Sequence, residues 1–199
     1  MTSILDGVRN ILDPNQHNDE KNFTLSIQAA YERIQNNWNG KPSRSKKNWE
    51  LRFVPLPEDI SKQKQGHSHK AEVPLERAIA SAFQGKNTIW NQMPVASGLV
   101  ESSYKDKRRA VDLVYKPDSS KASYEFLELK VANNKHDSPS DATIEIIEYG
   151  LLYLFSRHYA KSLGYSPEKT PVLKASHIGL RVLAEMEYYN HWKADGNNF

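Results

Sequence analysis

Cysteine is absent from this 199-residue chain, which excludes disulfides, thiolate metal sites and cysteine nucleophiles. No apolar run approaches the roughly 20 residues that cross a bilayer. The opening segment MTSILDGVRN has no charged leader followed by an apolar stretch, so no signal peptide is expected and cytoplasmic placement is the default. Glycine-rich phosphate loops and Ser/His/Asp arrangements do not stand out, and there is neither a repeat nor a low-complexity tract. What remains is a polar chain, 38% hydrophobic and 26% charged, able to build one elaborated domain with a core.

The net charge of +3 is too small to indicate a nucleic-acid partner by itself. Its distribution says more. Between residues 40 and 70, eight basic residues (Lys41, Arg44, Lys46, Lys47, Arg52, Lys62, Lys64 and Lys70) face three acids, with Trp49 interleaved and Trp38 just before. A second basic cluster, YKDKRRAVD, carries Arg108 and Arg109 just before Asp112. Each cluster is either a solvated polar segment or a set of phosphate contacts.

Hydrophobic spacing predicts a short helix over 2–12, a better one over 24–38, and a polar linker at NGKPSRSKK. NWELRFVPLP reads as a short strand closed by prolines. Residues 1–70 thus form a mainly helical, basic extension to a core at 71–199. In VPLERAIASAF, Pro74 is placed at a helix start and Leu75, Ile79 and Phe83 form one buried stripe. TIWNQMPVAS, RRAVDLVYK and YEFLELKV read as strands, the last two joined as a hairpin by KPDSSKAS. A long helix over 141–163 has Ile144, Ile147, Leu151, Leu154 and Phe155 on one side. SHIGLRVLA makes a fourth strand and EMEYYNHW a terminal helix. The expected fold class is α/β, a mixed central sheet flanked by helices.

Ionisable residues fall at telling places in this order. A strand has a side-chain period of two, so Phe126, Glu128 and Lys130 share one face, while Leu127, Leu129 and Val131 share the other and read as core. Asp112 lies inside an apolar strand with Ala110 and Val114 on its face. A carboxylate there is unfavourable unless it is exposed, paired or holding a metal. Mg²⁺-dependent phosphodiester hydrolysis uses two or three carboxylate oxygens to hold the ion, and a neighbouring group to orient or deprotonate water. Asp112 and Glu128 can supply the oxygens, with Mn²⁺ able to substitute for Mg²⁺. The Leu129 carbonyl is a further possible ligand, and Lys130 can serve water.

VD in one strand, ELK in the next and LERAIA on the preceding helix resemble the restriction-endonuclease-like nucleases, the PD-(D/E)xK superfamily. The resemblance covers roughly residues 71–190, and Val111 departs from the proline of the motif. It implies a restriction-endonuclease-like core in which Asp112 and Glu128 hold metal, Lys130 is catalytic and Glu76 is an auxiliary acid. The expected activity is an Mg²⁺-dependent endonuclease acting on DNA, of restriction or DNA-processing type and possible as a homodimer. An RNA-cleaving nuclease of the same fold and a non-catalytic nucleic-acid-binding module are the alternatives.

Lys46, Lys47, Arg108, Arg109, Lys135 and His136 are the candidate nucleic-acid contacts. His67 and His69 have a His-x-His spacing but no third ligand in view. Glu145, Glu148 and Tyr149 lie where the superfamily often adds an active-site side chain, and the spacing does not choose among them. YYNHW reads as packing of the terminal helix before base stacking.

Overall fold

A computed structural model describes residues 3–13, 20–56, 69–83, 86, 88–101, 103–132 and 137–194. The chain divides into two compact units. One comprises Met1–Glu50, Pro94–Ala110 and Ile147–Ala175; the other comprises Leu51–Met93, Val111–Ile146 and Ser176–Phe199.

The second unit is built on a four-stranded mixed sheet, β1 (Ile89–Pro94), β2 (Ala110–Tyr115), β3 (Ser123–Lys130) and β4 (His177–Ala184), in that spatial order. β2 and β3 form the expected antiparallel hairpin, with Leu113 opposite Leu127 and Val114 opposite Phe126. β4 returns parallel to β3, setting Glu128 beside Val182 and Lys130 beside Ala184. A parallel return needs a long crossover, and the chain between β3 and β4 contains helix α4 (Pro139–His158) and the short α5 (Ala160–Leu163). Helix α3 (His69–Ala82) precedes β1, and α6 (Met186–Ala194) follows β4. The architecture is therefore α/β, a mixed sheet flanked by helices.

Several local expectations are corrected. The described part of NWELRFVPLP, residues 48–56, forms no strand, because Asn91 takes over part of the pairing. Its Oδ1 accepts from Val54 N–H at 2.7 Å and its Nδ2 donates to the Val54 carbonyl at 3.0 Å. The backbone N–H of Asn91 reaches the Arg52 carbonyl at 2.9 Å. Pro55 lacks a donor and stops a ladder from continuing. Helix α3 begins at His69, so Pro74 lies inside it. The inward stripe of α3 is Glu76 and Ala80, whereas Leu75 and Ile79 are half-buried and Phe83 is exposed. The long helix breaks after His158, and its Leu154 is exposed while Leu152, Tyr153 and Phe155 are buried.

The first unit contains α1 (Val8–Leu12), α2 (Glu20–Asn37) and the latter part of α4. Trp38 packs on Phe155 and Tyr159 at centroid distances of 5.4 and 4.9 Å, and the fully buried Trp49 meets Tyr153 at 5.8 Å. Both tryptophans are packing residues of this unit, Trp49 fully buried and Trp38 half-buried. Asp106, also fully buried, accepts from the Ser3 hydroxyl and from Ile4 N–H at 2.9 Å. It fastens the amino-terminal turn to the 103–109 segment. Asp106→Ala strands both donors, so a loss of about 3 kcal/mol is expected in urea unfolding. A change below about 0.5 kcal/mol, the usual size for surface substitutions, would count against that anchoring role.

Among the described residues, no helix is long and apolar enough to cross a membrane.

Candidate active site

The question posed by SYEFLELK is which face goes inside. Tyr124, Phe126, Glu128 and Lys130 are all buried, whereas Glu125 and Leu127 on the opposite face are half-buried. The face expected to be core is thus the more open one, apart from Leu129 and Val131 near the strand end. Glu128 and Lys130 are only 4% and 3% exposed, so neither is a solvated surface charge. Burial of both ions is tolerable only with pairing. Lys130 Nζ lies 2.8 Å from Glu128 Oε1, 3.4 Å from Glu145 Oε2 and 3.6 Å from Asp137 Oδ2.

Continuing the β2–β3 register by one pair sets Asp112 across from Glu128, and opposed residues of an antiparallel pair share a face. The half-buried Asp112 accepts the Leu129 N–H through Oδ2 at 2.8 Å. A backbone donor thereby fixes this carboxylate and leaves Oδ1 to face other partners. The third acid, Glu76, is 3% exposed and comes from α3. Its Oε2 meets Gln92 Nε2 at 3.5 Å, the long limit of a hydrogen bond. Gln92 holds φ at +52°, a left-handed conformation that costs a non-glycine residue about 1–3 kcal/mol. That strain sits at the residue aimed at Glu76.

Electrostatics mark the cluster as short of positive charge. Burial and then the Asp112 charge push the Glu76 carboxyl up to about 8. Burial raises Asp112 to about 7, although the Leu129 N–H and Lys130 oppose it. Glu128 is pushed well above the carboxylate range by burial, then by Asp112 and Glu145. Burial pulls Lys130 down, but Glu128 and Glu145 outweigh it and hold the ammonium above its ordinary value. Lys130 therefore serves several carboxylates, with Arg77 adding a smaller favourable charge at Glu76. Without a bound metal, the neighbouring carboxylates hold Lys130 as an ammonium.

Two oxygens are conspicuous. Glu76 Oε1 and Glu128 Oε2 are buried and accept no hydrogen bond within 3.5 Å among the described residues, although the Asn91 side chain lies near enough to Glu76 to favour its charged form. A buried carboxylate oxygen without a donor is costly, and oxygen donors short of positive charge are what a hard divalent cation takes. The residues therefore fit Mg²⁺ by donor chemistry. Among the described residues no three acids or histidines are already arranged around a common metal point, with Glu128 Oε1 engaged by Lys130.

Of the three side chains on the long helix, Glu145 is the one that reaches Lys130, a role the sequence left undecided. Glu148 instead meets Arg109 at 3.3 Å in the first unit. Helical phase alone does not separate residues three apart, which lie on neighbouring parts of the same surface.

The basic sequence candidates that the structure describes belong to the first unit. Lys46 Nζ donates to the Leu163 carbonyl at 2.9 Å, Lys47 is exposed, and the Arg108 guanidinium lies 4.3 Å from the centre of the Tyr104 ring. Lys135, His136 and His67 fall outside the described residues, as does the side chain of His69. Tyr188 is fully buried and its hydroxyl donates to the Asp137 carbonyl at 2.7 Å, which makes the start of YYNHW a packing element.

Comparison with protein-family models, with curated proteins and with solved structures returns no match.

Proposed function

We propose that this chain is a metal-dependent phosphodiesterase, an Mg²⁺-dependent DNA endonuclease with a restriction-endonuclease-like core of the PD-(D/E)xK kind. The observation that carries the reading is a pair of buried oxygens on Glu76 and Glu128 that accept no hydrogen bond within 3.5 Å among the described residues, beside Asp112 and a buried, ion-paired Lys130. A module that only bound nucleic acid would gain nothing from burying an unsatisfied acidic cluster, and its stability would suffer.

Asp112, Glu128 and Glu76 are the side chains that would hold the metal, with the Leu129 carbonyl as a further donor. When bound, Mg²⁺ supplies neutralisation of the attacked phosphate and a water of lowered pKa. Every other part belongs to the chain. The Leu129 N–H orients Asp112, and Gln92 restrains Glu76. Glu145 and Asp137 hold the Lys130 ammonium in place. From there it can donate to a non-bridging phosphate oxygen and offset the charge that grows there in the transition state. Buried groups fixed in this way need little reorganisation during the reaction.

Supercoiled plasmid incubated with the protein and Mg²⁺ is expected to be nicked or linearised, and EDTA is expected to stop it. Matched single-stranded RNA tests the substrate: preferential RNA cleavage would transfer the reading to a ribonuclease of the same site. Intact plasmid and intact RNA, with no heat of Mg²⁺ or Mn²⁺ binding by calorimetry, would defeat the proposal.

A further inference from the structure

The first unit contains a cavity of about 480 Å³ lined by Arg44, Ser45, Ser97, Gly98, Ser103 and Lys107, among others. That volume falls within the roughly 300–1,000 Å³ of ordinary ligand sites. Two cations and three hydroxyl-bearing residues line it. Three separate sequence segments contribute, so no local pattern reveals it.

Its walls are tied together. Asn48 Nδ2 donates to the Ser97 carbonyl at 2.8 Å, and Asn48 Oδ1 accepts the Ser97 N–H at 3.0 Å. The Arg44 N–H reaches the Gly98 carbonyl at 3.0 Å. Gly98 has φ +73°, and a Cβ there would stand 2.6 Å from the Ser45 nitrogen, so only glycine permits the two loops to approach this closely. Ser103 Oγ accepts the Asp106 N–H at 3.1 Å, which leaves its own proton to donate.

The charge around the cavity is selective. In YKDKRR the one acid, Asp106, is turned inward and fully buried, whereas Lys105, Lys107 and Arg108 are exposed. Lys107 makes no ion pair with any described residue. Arg44 meets Glu101, but both side chains are more than half exposed, 65% and 53%. Such a surface pair contributes at most about 1 kcal/mol and yields to a stronger anion. An arginine fork recognises phosphate as well as carboxylate, so an anionic guest competes with Glu101 for Arg44. Next in sequence to the lining residue Ser103, Tyr104 is 61% exposed; Arg108 lies over one face of its ring and donates to its hydroxyl, so a nucleobase would stack on the other face, next to a cation.

We propose that this cavity binds a backbone phosphate of a nucleic-acid strand, with Arg44 and Lys107 supplying charge, Ser45, Ser97 and Ser103 supplying hydroxyl donors, and Tyr104 stacking on an adjoining base. The site is independent of hydrolysis, so it stands or falls separately from the endonuclease reading.

The test is anisotropy of fluorescein-labelled single-stranded and duplex DNA with the full chain in EDTA, where no metal-dependent cleavage occurs. Arg44→Ala and Lys107→Ala are each expected to weaken binding about tenfold and to reduce the salt slope by about one. Lys169→Ala, an exposed lysine outside the cavity and an equal loss of charge, is the control and should change binding less than twofold. Both cavity residues are exposed, so their variants should fold, and circular dichroism verifies it. Inorganic phosphate should compete against wild type but far less against the double variant. Cavity variants that bind like the control would overturn the proposal, as would a wild-type chain that binds neither DNA form. Phosphate binding by calorimetry without any cavity effect on DNA would also overturn it, in favour of a small phosphorylated ligand.

Discussion

Lys130→Met is expected to reduce metal-dependent cleavage by at least about 100-fold, the scale seen when a fixed charge donor is removed from a transition state. Methionine keeps most of the volume and removes the charge. The variant leaves Glu128, 4% exposed, without its 2.8 Å partner. Breaking a buried pair from one side costs about 3–5 kcal/mol. Lys130→Ala would cost more still, since it adds a cavity to the unpaired acid. The sign agrees. A lysine whose folded pKa is raised contributes stability fully present below its ordinary pKa and lost only at higher pH. At neutral pH the whole contribution is at stake. Scanning fluorimetry of the Lys130→Met and the double Lys130→Met, Glu128→Gln proteins separates the two effects. The double variant should regain stability and remain inactive. A single variant that cleaves like wild type would remove Lys130 from the mechanism, whatever its melting temperature.

Glu76→Gln is expected to split stability from activity in opposite directions. The Glu76 carboxyl is raised to about 8 by burial and then by Asp112. For an acid shifted upward, the folded state binds the proton more tightly than the unfolded chain. Its stabilisation is present below the ordinary glutamate value and lost as pH rises through the folded value. The metal-free protein should thus lose stability between about pH 4.5 and pH 8, by up to about 1.4 kcal/mol per pH unit for this one group. Asp112, raised to about 7, adds a second contribution over the lower part of that window. Glutamine has the same shape and no charge to desolvate. The variant should melt higher than wild type at pH 8 in EDTA, with a shallower pH slope, and should lose most Mg²⁺-dependent cleavage. Added Mg²⁺ should raise the wild-type melting temperature at pH 8 more than that of the variant. An unchanged pH slope in Glu76→Gln would show that Glu76 does not titrate as described, and undiminished cleavage would remove it from the metal set.

Much of the order of elements was legible because hydrophobic period and turn chemistry are local. The hairpin at KPDSSKAS, the strand character of RRAVDLVYK and YEFLELKV, and the common face of Glu128 and Lys130 all follow from a period of two. The segment 51–56 was misread because its pairing runs through a side chain, Asn91, which no propensity encodes. The buried stripe of α3 was misread for a related reason. Spacing marks apolar residues as the inner face, and here an acid, Glu76, is drawn inward next to Asp112 and Gln92.

The sequence by itself determined that Glu128 and Lys130 share a strand face and that Asp112 lies inside an apolar strand. Tertiary structure alone decided that this face is the buried one, because β3 has apolar residues on both sides and only helices distant in sequence select between them. It also chose Glu145 as the partner of Lys130 and turned Asp106 inward from its basic cluster. Those outcomes depend on desolvation and on contacts between segments far apart in the chain, and neither quantity exists until the chain has folded.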